Sequence, residues 1–371
     1  MEIIDSNNLW SMSVNRLVSL LSEAYYNEYK KNRLNMTNFP SVMLWGPPGV
    51  GKSQGIKQIA KNLERLTGLE VHVTDVRLLL FNPIDLRGIP VANKNNNSAV
   101  WLKPKIFQLN PFECINILFL DEISAAPQSV QAAAYQLTLE RKIGEHSLPE
   151  NTIVIAAGNR VTDKSVATRM PKALANRLLH IEVESDVSSW LSWAIENDIN
   201  EKVFGYLSQN RYQLFKFDVD SDELAFPTPR SWEMVSRVID NFNGDHIKSY
   251  PLIAGLIGRP LALEFKTWCS IYKDLPNIDD IFSGTEINIP KKPDELFALV
   301  ASLTSRAKEY KYDAIKIGNS INYASRMPID FTELLLQNYS LLDKDYDSFL
   351  KQIPEYQSYV SKRGGNRNGR I

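Results

Sequence analysis

The sequence is short of most features that would mark a secreted, metal-holding or membrane protein. It has two cysteines, Cys114 and Cys269, in 371 residues. Two thiols cannot build a disulfide framework, and they read as buried thiols in a reducing cytoplasm. Four histidines (His72, His146, His180, His246) are scattered, with no His-Glu-x-x-His spacing, which argues against zinc chemistry. The apolar stretch around 115–120, like every other in the sequence, is far too short to span a bilayer. At the N-terminus, Met1-Glu2-Ile3-Ile4-Asp5 carries acids where a secretory signal has positive charge, and no apolar stretch follows. A cytoplasmic location with no membrane association is therefore expected. An excess of basic charge is also missing: 42 Lys+Arg face 43 Asp+Glu, a net charge of -1. A chain that wraps duplex DNA would normally be basic, although a local patch can hide in a neutral total. No internal repeat and no heptad run is visible.

What is present is a globular balance, 44% hydrophobic and 23% charged, in a chain long enough for roughly two or three domains. Residues 12–30 carry Val14, Leu17, Val18, Leu21 and Tyr25 on one helical face. Short apolar runs at 41–45, 69–76, 115–120, 152–157 and 178–183 read as strands. Helical stripes lie between them, at 52–66 and after Pro127, with Val130, Ala133, Ala134 and Leu137 as the inner face of the second. Such alternation predicts a parallel sheet with helices on both faces. Residues 77–112 hold four prolines and the polar run 93–98, expected to be a solvated loop at the tip of an insertion. Beyond 183 the pattern turns helical, at 190–195, 231–242, 252–268 and 295–310, and residues 361–371 are expected to be frayed.

The strongest signal is Gly46-Pro47-Pro48-Gly49-Val50-Gly51-Lys52-Ser53, which matches the phosphate-loop pattern Gly-x-x-x-x-Gly-Lys-Ser/Thr in full. It follows a predicted strand and opens a predicted helix. Glycines let the backbone curl so that successive amides face one point, and the helix N-terminus adds partial positive charge. A lysine in the first turn opposes that dipole, so Lys52 needs an anion to explain it. It would reach the β- and γ-phosphates of ATP, with Ser53 on Mg²⁺ and Gln54 completing the cradle. The strand Ile117-Leu118-Phe119-Leu120 ends in Asp121-Glu122. Asp121 would complete the Mg²⁺ shell and Glu122 would polarise the attacking water. Two acids after a strand mean little alone, but paired with the loop they point to a hydrolase.

Asn159 ends the strand Ile153-Val154-Ile155-Ala156-Ala157-Gly158, at the sheet edge where α/β ligand sites form; a plain Gly-Asn turn reads equally well from spacing. Arg177 lies where a short helix passes into a strand. In Thr228-Pro229-Arg230-Ser231-Trp232, Thr228 would cap a helix, leaving Arg230 in a first turn that disfavours it unless an anion is near. For either arginine a surface salt bridge is the competing reading.

Together these segments resemble the AAA+ ATPases, and within them the MoxR family. The likeness rests on the phosphate loop, on Leu118-Phe119-Leu120-Asp121-Glu122-Ile123, Ala156-Ala157-Gly158-Asn159-Arg160 and Ala173-Leu174-Ala175-Asn176-Arg177, and on Thr228 to Trp232, covering roughly residues 40–240. It implies an α/β core whose parallel sheet is sandwiched by helices (36–185), followed by an all-helical lid domain; the helical stripe before the core reads as an N-terminal helical extension (1–35), and the helical pattern past about 245 extends the lid domain to the C-terminus (186–371). It implies further that Asn159 is the sensor-1 residue, Arg230 the sensor-2 arginine, and Arg177 a finger reaching the neighbouring subunit's γ-phosphate, with Arg169 as a rival. A finger given in trans implies a homo-oligomeric ring, typically a hexamer. Residues 77–105 would hold a pore- or partner-facing insert, and Arg141-Lys142-Ile143-Gly144 a hairpin. By analogy, a protein with a von Willebrand factor A domain is the expected partner. Three functions remain open: an ATP-driven remodeller of proteins, a motor on nucleic acid, and a scaffold that binds ATP but barely hydrolyses it. Basic residues at Lys362-Arg363, Arg367, Arg370 and Arg141-Lys142 favour the second, and neutral charge counts against it.

Overall fold

The computed structural model describes residues 9–93, 98–160, 170, 172–218, 223–285 and 287–367. Its contacts divide the chain into two compact units, Met1–Asp186 and Val187–Ile371.

The first unit begins with β1 (Ser11–Ser13) and α1 (Val14–Asn32). Next come β2 (Val42–Trp45), α2 (Lys52–Thr67) and β3 (Glu70–Arg77). The insertion contains α3 (Pro83–Arg87) and the antiparallel pair β4 (Ile89–Asn93) and β5 (Ser98–Leu102). β6 (Cys114–Asp121), α4 (Gln128–Glu140), the hairpin β7 (Lys142–Ile143) and β8 (His146–Ser147), β9 (Thr152–Gly158), α5 (Lys172–Ala175) and β10 (Leu179–Glu184) complete it. The polar run expected to be a loop tip falls largely on residues 94–97, which lie outside the described residues, as does Arg169.

Six strands form one sheet in the order β1-β10-β2-β9-β6-β3, with every adjacent pair parallel. β6 and β9 are buried along almost their whole length, as continuous apolar strands covered on both faces must be. On one face Val130, Ala133, Ala134 and Leu137 of α4 share a core with Met43, Leu118, Leu120, Val154 and Ala156. α2 packs on β3 and β6, burying Ile56, Ile59, Ala60 and Leu63. α1 lies along α2, and a Cβ at Gly55 would stand 3.3 Å from Val14 Cγ1, so glycine permits this close approach. β1 escapes sequence reading because Ser-Met-Ser has no strand-like apolar signature. Parallel pairing with β10 and a hydrogen bond from Ser11 Oγ to Glu184 Oε2 (2.8 Å) hold it.

Among the described residues, the regular structure of the second unit is all helical: α6 (Val187–Glu196), α7 (Glu201–Gln209), α8 (Pro229–Asn241), α9 (Tyr250–Ile257), α10 (Arg259–Ser270), α11 (Ile278–Phe282), α12 (Pro293–Glu309), α13 (Ala314–Ala324), α14 (Ile329–Ser340), α15 (Tyr346–Leu350) and α16 (Pro354–Arg367). Two expectations are corrected here. The stripe at 252–268 is two helices, because Gly258 takes φ 85 and Pro260 opens the next helix. The tail expected to fray from 361 is helical to Arg367. α12 serves two cores, with Ala298 and Ala301 in one built around Trp232, and Leu299, Val300 and Leu303 in the other. Trp232 is fully buried, and its ring lies 5.3 Å from Tyr206 and 5.4 Å from Phe265.

Both cysteines are free and buried. Burial pushes the Cys269 thiol up to about 12 and also raises Cys114, so neither is a poised nucleophile. No helix among the described residues is long and apolar enough to cross a membrane.

Candidate active site

Three neighbouring strands, β2, β9 and β6, deliver the predicted residues to one end of the sheet. Trp45 closes β2 opposite Gly158 of β9, and Leu120 of β6 lies opposite Ala156. The chain leaving each strand therefore meets the others at the carboxyl edge, where open α/β sheets bind ligands.

The loop from Gly46 to Gly51 needs its glycines. Gly46, Gly49 and Gly51 have φ of 151, 83 and 104, and a Cβ on Gly46 would lie 2.4 Å from Val183 O. Val50 and Pro47 are buried, and Pro48 is half-buried. Gly51 is the N-cap of α2 and supplies no side-chain cap, so the first-turn amides have no acceptor within the helix or the cap. Lys52 is buried, and its Nζ donates to Gly46 O (2.6 Å), Pro47 O (3.0 Å) and Asn159 Oδ1 (3.3 Å). Ser53 Oγ donates to Asp121 Oδ2 at 3.2 Å, and Gln54 stands half-buried beside it.

Asp121 is the last residue of β6, and its Oδ1 accepts the Glu122 amide at 2.9 Å. Glu122 has φ 58, a left-handed turn that leaves its side chain exposed at the mouth of the loop's strand edge. Asn159 follows β9, and its amide donates to Ser124 Oγ at 2.9 Å. A Cβ on Gly158 would sit 2.7 Å from that same Ser124 Oγ, so glycine allows β9 to close on the turn after Glu122. Arg160 pairs with Glu182 of β10.

The structure thus brings together the loop, Lys52, Ser53, Asp121 and Asn159, with Glu122 adjoining. Arg177 is exposed on the turn after α5. Arg230 is exposed in the second unit, in the first turn of α8. There Thr228 caps the helix as expected, with Thr228 Oγ1 accepting the Ser231 amide (3.0 Å) and Ser231 Oγ accepting the Thr228 amide (2.7 Å).

Sequence reading missed two contributors. Ser124 is a plain serine in a turn, recognisable only once β6 and β9 are known to be neighbours. Asp75 of β3 is the other. Burial, then the nearby Asp121 charge, raises its carboxyl above the usual range, against Arg77 and Lys57. A second acid beside Asp121 strengthens the negative potential offered to a cation.

A hydroxyl and a carboxylate, both hard oxygen donors, suit Mg²⁺, which keeps several waters and borrows phosphate oxygens. The tight glycine cradle around a buried ammonium suits a polyphosphate. The residues present therefore fit both groups.

A parallel sheet with this loop and acid pair defines the class of P-loop nucleoside triphosphatases. Residues 42–183 match the model of the ATPase family associated with various cellular activities (AAA), so over that span the chain is similar to that family. Proteins of that family are ATPases that bind nucleotide, typically with Mg²⁺, and they commonly form ring oligomers. No curated protein matches the sequence. Among solved structures it is similar to a protein from Cytophaga hutchinsonii described as a putative ATPase (16% identity, 87% of this chain and 84% of that one, TM-score 0.32). It is also similar to a RuvB variant from Thermotoga maritima (18%, 79% and 83%, TM-score 0.35) and to NtrX from Brucella abortus (14%, 69% and 71%, TM-score 0.30). Likeness at these scores carries no argument about what the chain acts on.

Proposed function

We propose that the protein is a MoxR-like chaperone ATPase that hydrolyses ATP to remodel or assemble a partner protein, working as a ring, typically a hexamer. The observation that carries the ATPase part is the convergence of Lys52 with Asn159 and of Ser53 with Asp121 at one strand edge. A protein with a von Willebrand factor A domain is the proposed partner, by family analogy alone.

In this reading the loop amides and Lys52 bind and orient the β- and γ-phosphates. Lys52 exchanges its contacts to Gly46 O and Pro47 O for phosphate oxygens. Ser53 and Asp121 would hold Mg²⁺, which would supply charge neutralisation on the triphosphate. Glu122 accepts a proton from the attacking water, and Asn159 orients that water without adding charge. Arg177 stabilises the transferring phosphoryl group of the neighbouring subunit, and Arg230 takes the sensor-2 role that the resemblance gives it.

The test is steady-state ATPase activity against protein concentration, with and without DNA at low and moderate salt. Specific activity should climb with concentration as subunits complete one another's sites, and DNA should leave it unchanged. A flat, measurable rate would remove the finger in trans. Stimulation by DNA at both salt levels would replace the protein remodeller with a nucleic-acid motor.

A further inference from the structure

We propose that His180 is a positioning residue that fixes the Arg177 segment to the strand ending in its own phosphate loop, so that its effect appears in the neighbouring subunit's active site. The inference rests on the reading of Arg177 as the finger. His180 is the second residue of β10, and Trp45 is the last of β2, directly before Gly46. The strands are paired, with His180 opposite Met43, so Trp45 lies diagonally across on the same face. Trp45 Nε1 donates to His180 Nδ1 at 2.9 Å, with the two ring planes 18° apart. His180 Nε2 lies 2.7 Å from Ala175 O.

Chemistry decides the tautomer. An indole N–H can only donate and a carbonyl can only accept, so Nδ1 is the acceptor and the imidazole proton sits on Nε2. The imidazole is thereby used at both ends. Ala175 is the last residue of α5, and its carbonyl also accepts the Leu178 amide at 3.2 Å. Arg177 lies inside the turn closed by that bond. A half-buried histidine on a sheet often does no more than satisfy its neighbours. Here the two neighbours are the residue before the phosphate loop and the carbonyl that closes the Arg177 turn. α5 has only four residues, too few to hold its own geometry, so an external clamp has a large effect on where the arginine points.

The experiment uses mixed oligomers of full-length chains. A Lys52→Ala chain has a finger but no working site, and an Arg177→Ala chain has a site but no finger. His180→Phe keeps a flat ring and removes both hydrogen bonds, and it is placed on one chain or the other. The expected result is a loss of roughly ten- to a hundredfold in the mixture's ATPase rate with His180→Phe on the Lys52→Ala chain. On the Arg177→Ala chain it should leave both rate and ATP affinity nearly unchanged. His180→Gln, which retains one donor and one acceptor, should recover much of the loss. Equal loss on both chains, loss only on the site-bearing chain, or no loss would each overturn the proposal. Failure of the parent mixture to hydrolyse ATP would instead remove the finger reading itself, and this inference with it. If His180→Phe does not fold, Trp45→Phe, which removes the indole donor and keeps an aromatic ring, applies the same test.

Discussion

Lys52→Ala is expected to weaken nucleotide binding roughly a hundredfold while leaving the fold intact. In the wild type, the buried ammonium donates to Gly46 O, Pro47 O and Asn159 Oδ1 within 3.3 Å. Two of these acceptors belong to the loop itself, so without ATP the lysine holds the empty cradle in shape. With ATP, the same charge meets phosphate oxygens in a site screened from water. Truncating one partner of such a desolvated charge pair costs about 3 kcal/mol, roughly a hundredfold in affinity. The loss of apo stability should be smaller, because a loop carbonyl released by the lysine can be hydrated. A fluorescent ATP analogue titrated against the variant, alongside a thermal melt, separates the two effects. Tight ATP affinity in a folded Lys52→Ala protein would remove the phosphate-loop assignment.

Glu122→Gln should do the opposite: keep ATP and stop its hydrolysis. The substitution preserves shape, and Glu122 is anchored by its backbone, whose amide donates to Asp121 Oδ1. Glutamine can follow that turn but cannot take a proton from water. Loss of a general base costs roughly a hundred- to ten-thousandfold in rate. The variant should therefore carry bound ATP through gel filtration and favour the assembled state. Normal turnover would take Glu122 out of the base role.

The site was legible wherever chemistry restricts residue choice. A Cβ at position 46 would collide with Val183 O, so glycine there is a steric requirement that shows in the sequence. Asp121 and Asn159 could be placed because β6 and β9 are continuous apolar runs, which locates the strand edge to within a residue. The capped start of α8 was legible for a similar reason, since Thr-Pro is a local signal needing no tertiary partner. Contributors whose role comes only from the sheet order were not. Ser124, Asp75 and His180 have no distinguishing neighbours in the chain, and they acquire their contacts from strands distant in sequence. In the second unit, α13 and α14 were missed because their stripes are broken by buried polar residues. Ser320, Thr332 and Asn338 are all buried there, Ser320 satisfied within its own helix by Ile317 O, Thr332 by Ala324 O of α13 and Asn338 by Thr304 Oγ1 of α12. The break at Gly258 was readable from Gly-Arg-Pro, but the apolar stripe on either side of it outweighed that signal.

The most direct measurement mixes folded Lys52→Ala and Arg177→Ala chains in equal amounts and reads ATPase activity. Each alone should be inactive, one for want of nucleotide and the other for want of a finger. In a randomly assorted ring, about a quarter of the sites join an intact pocket to an intact finger, so activity should return in part. Mixed rings that assemble but hydrolyse no ATP would contradict an active site shared between subunits.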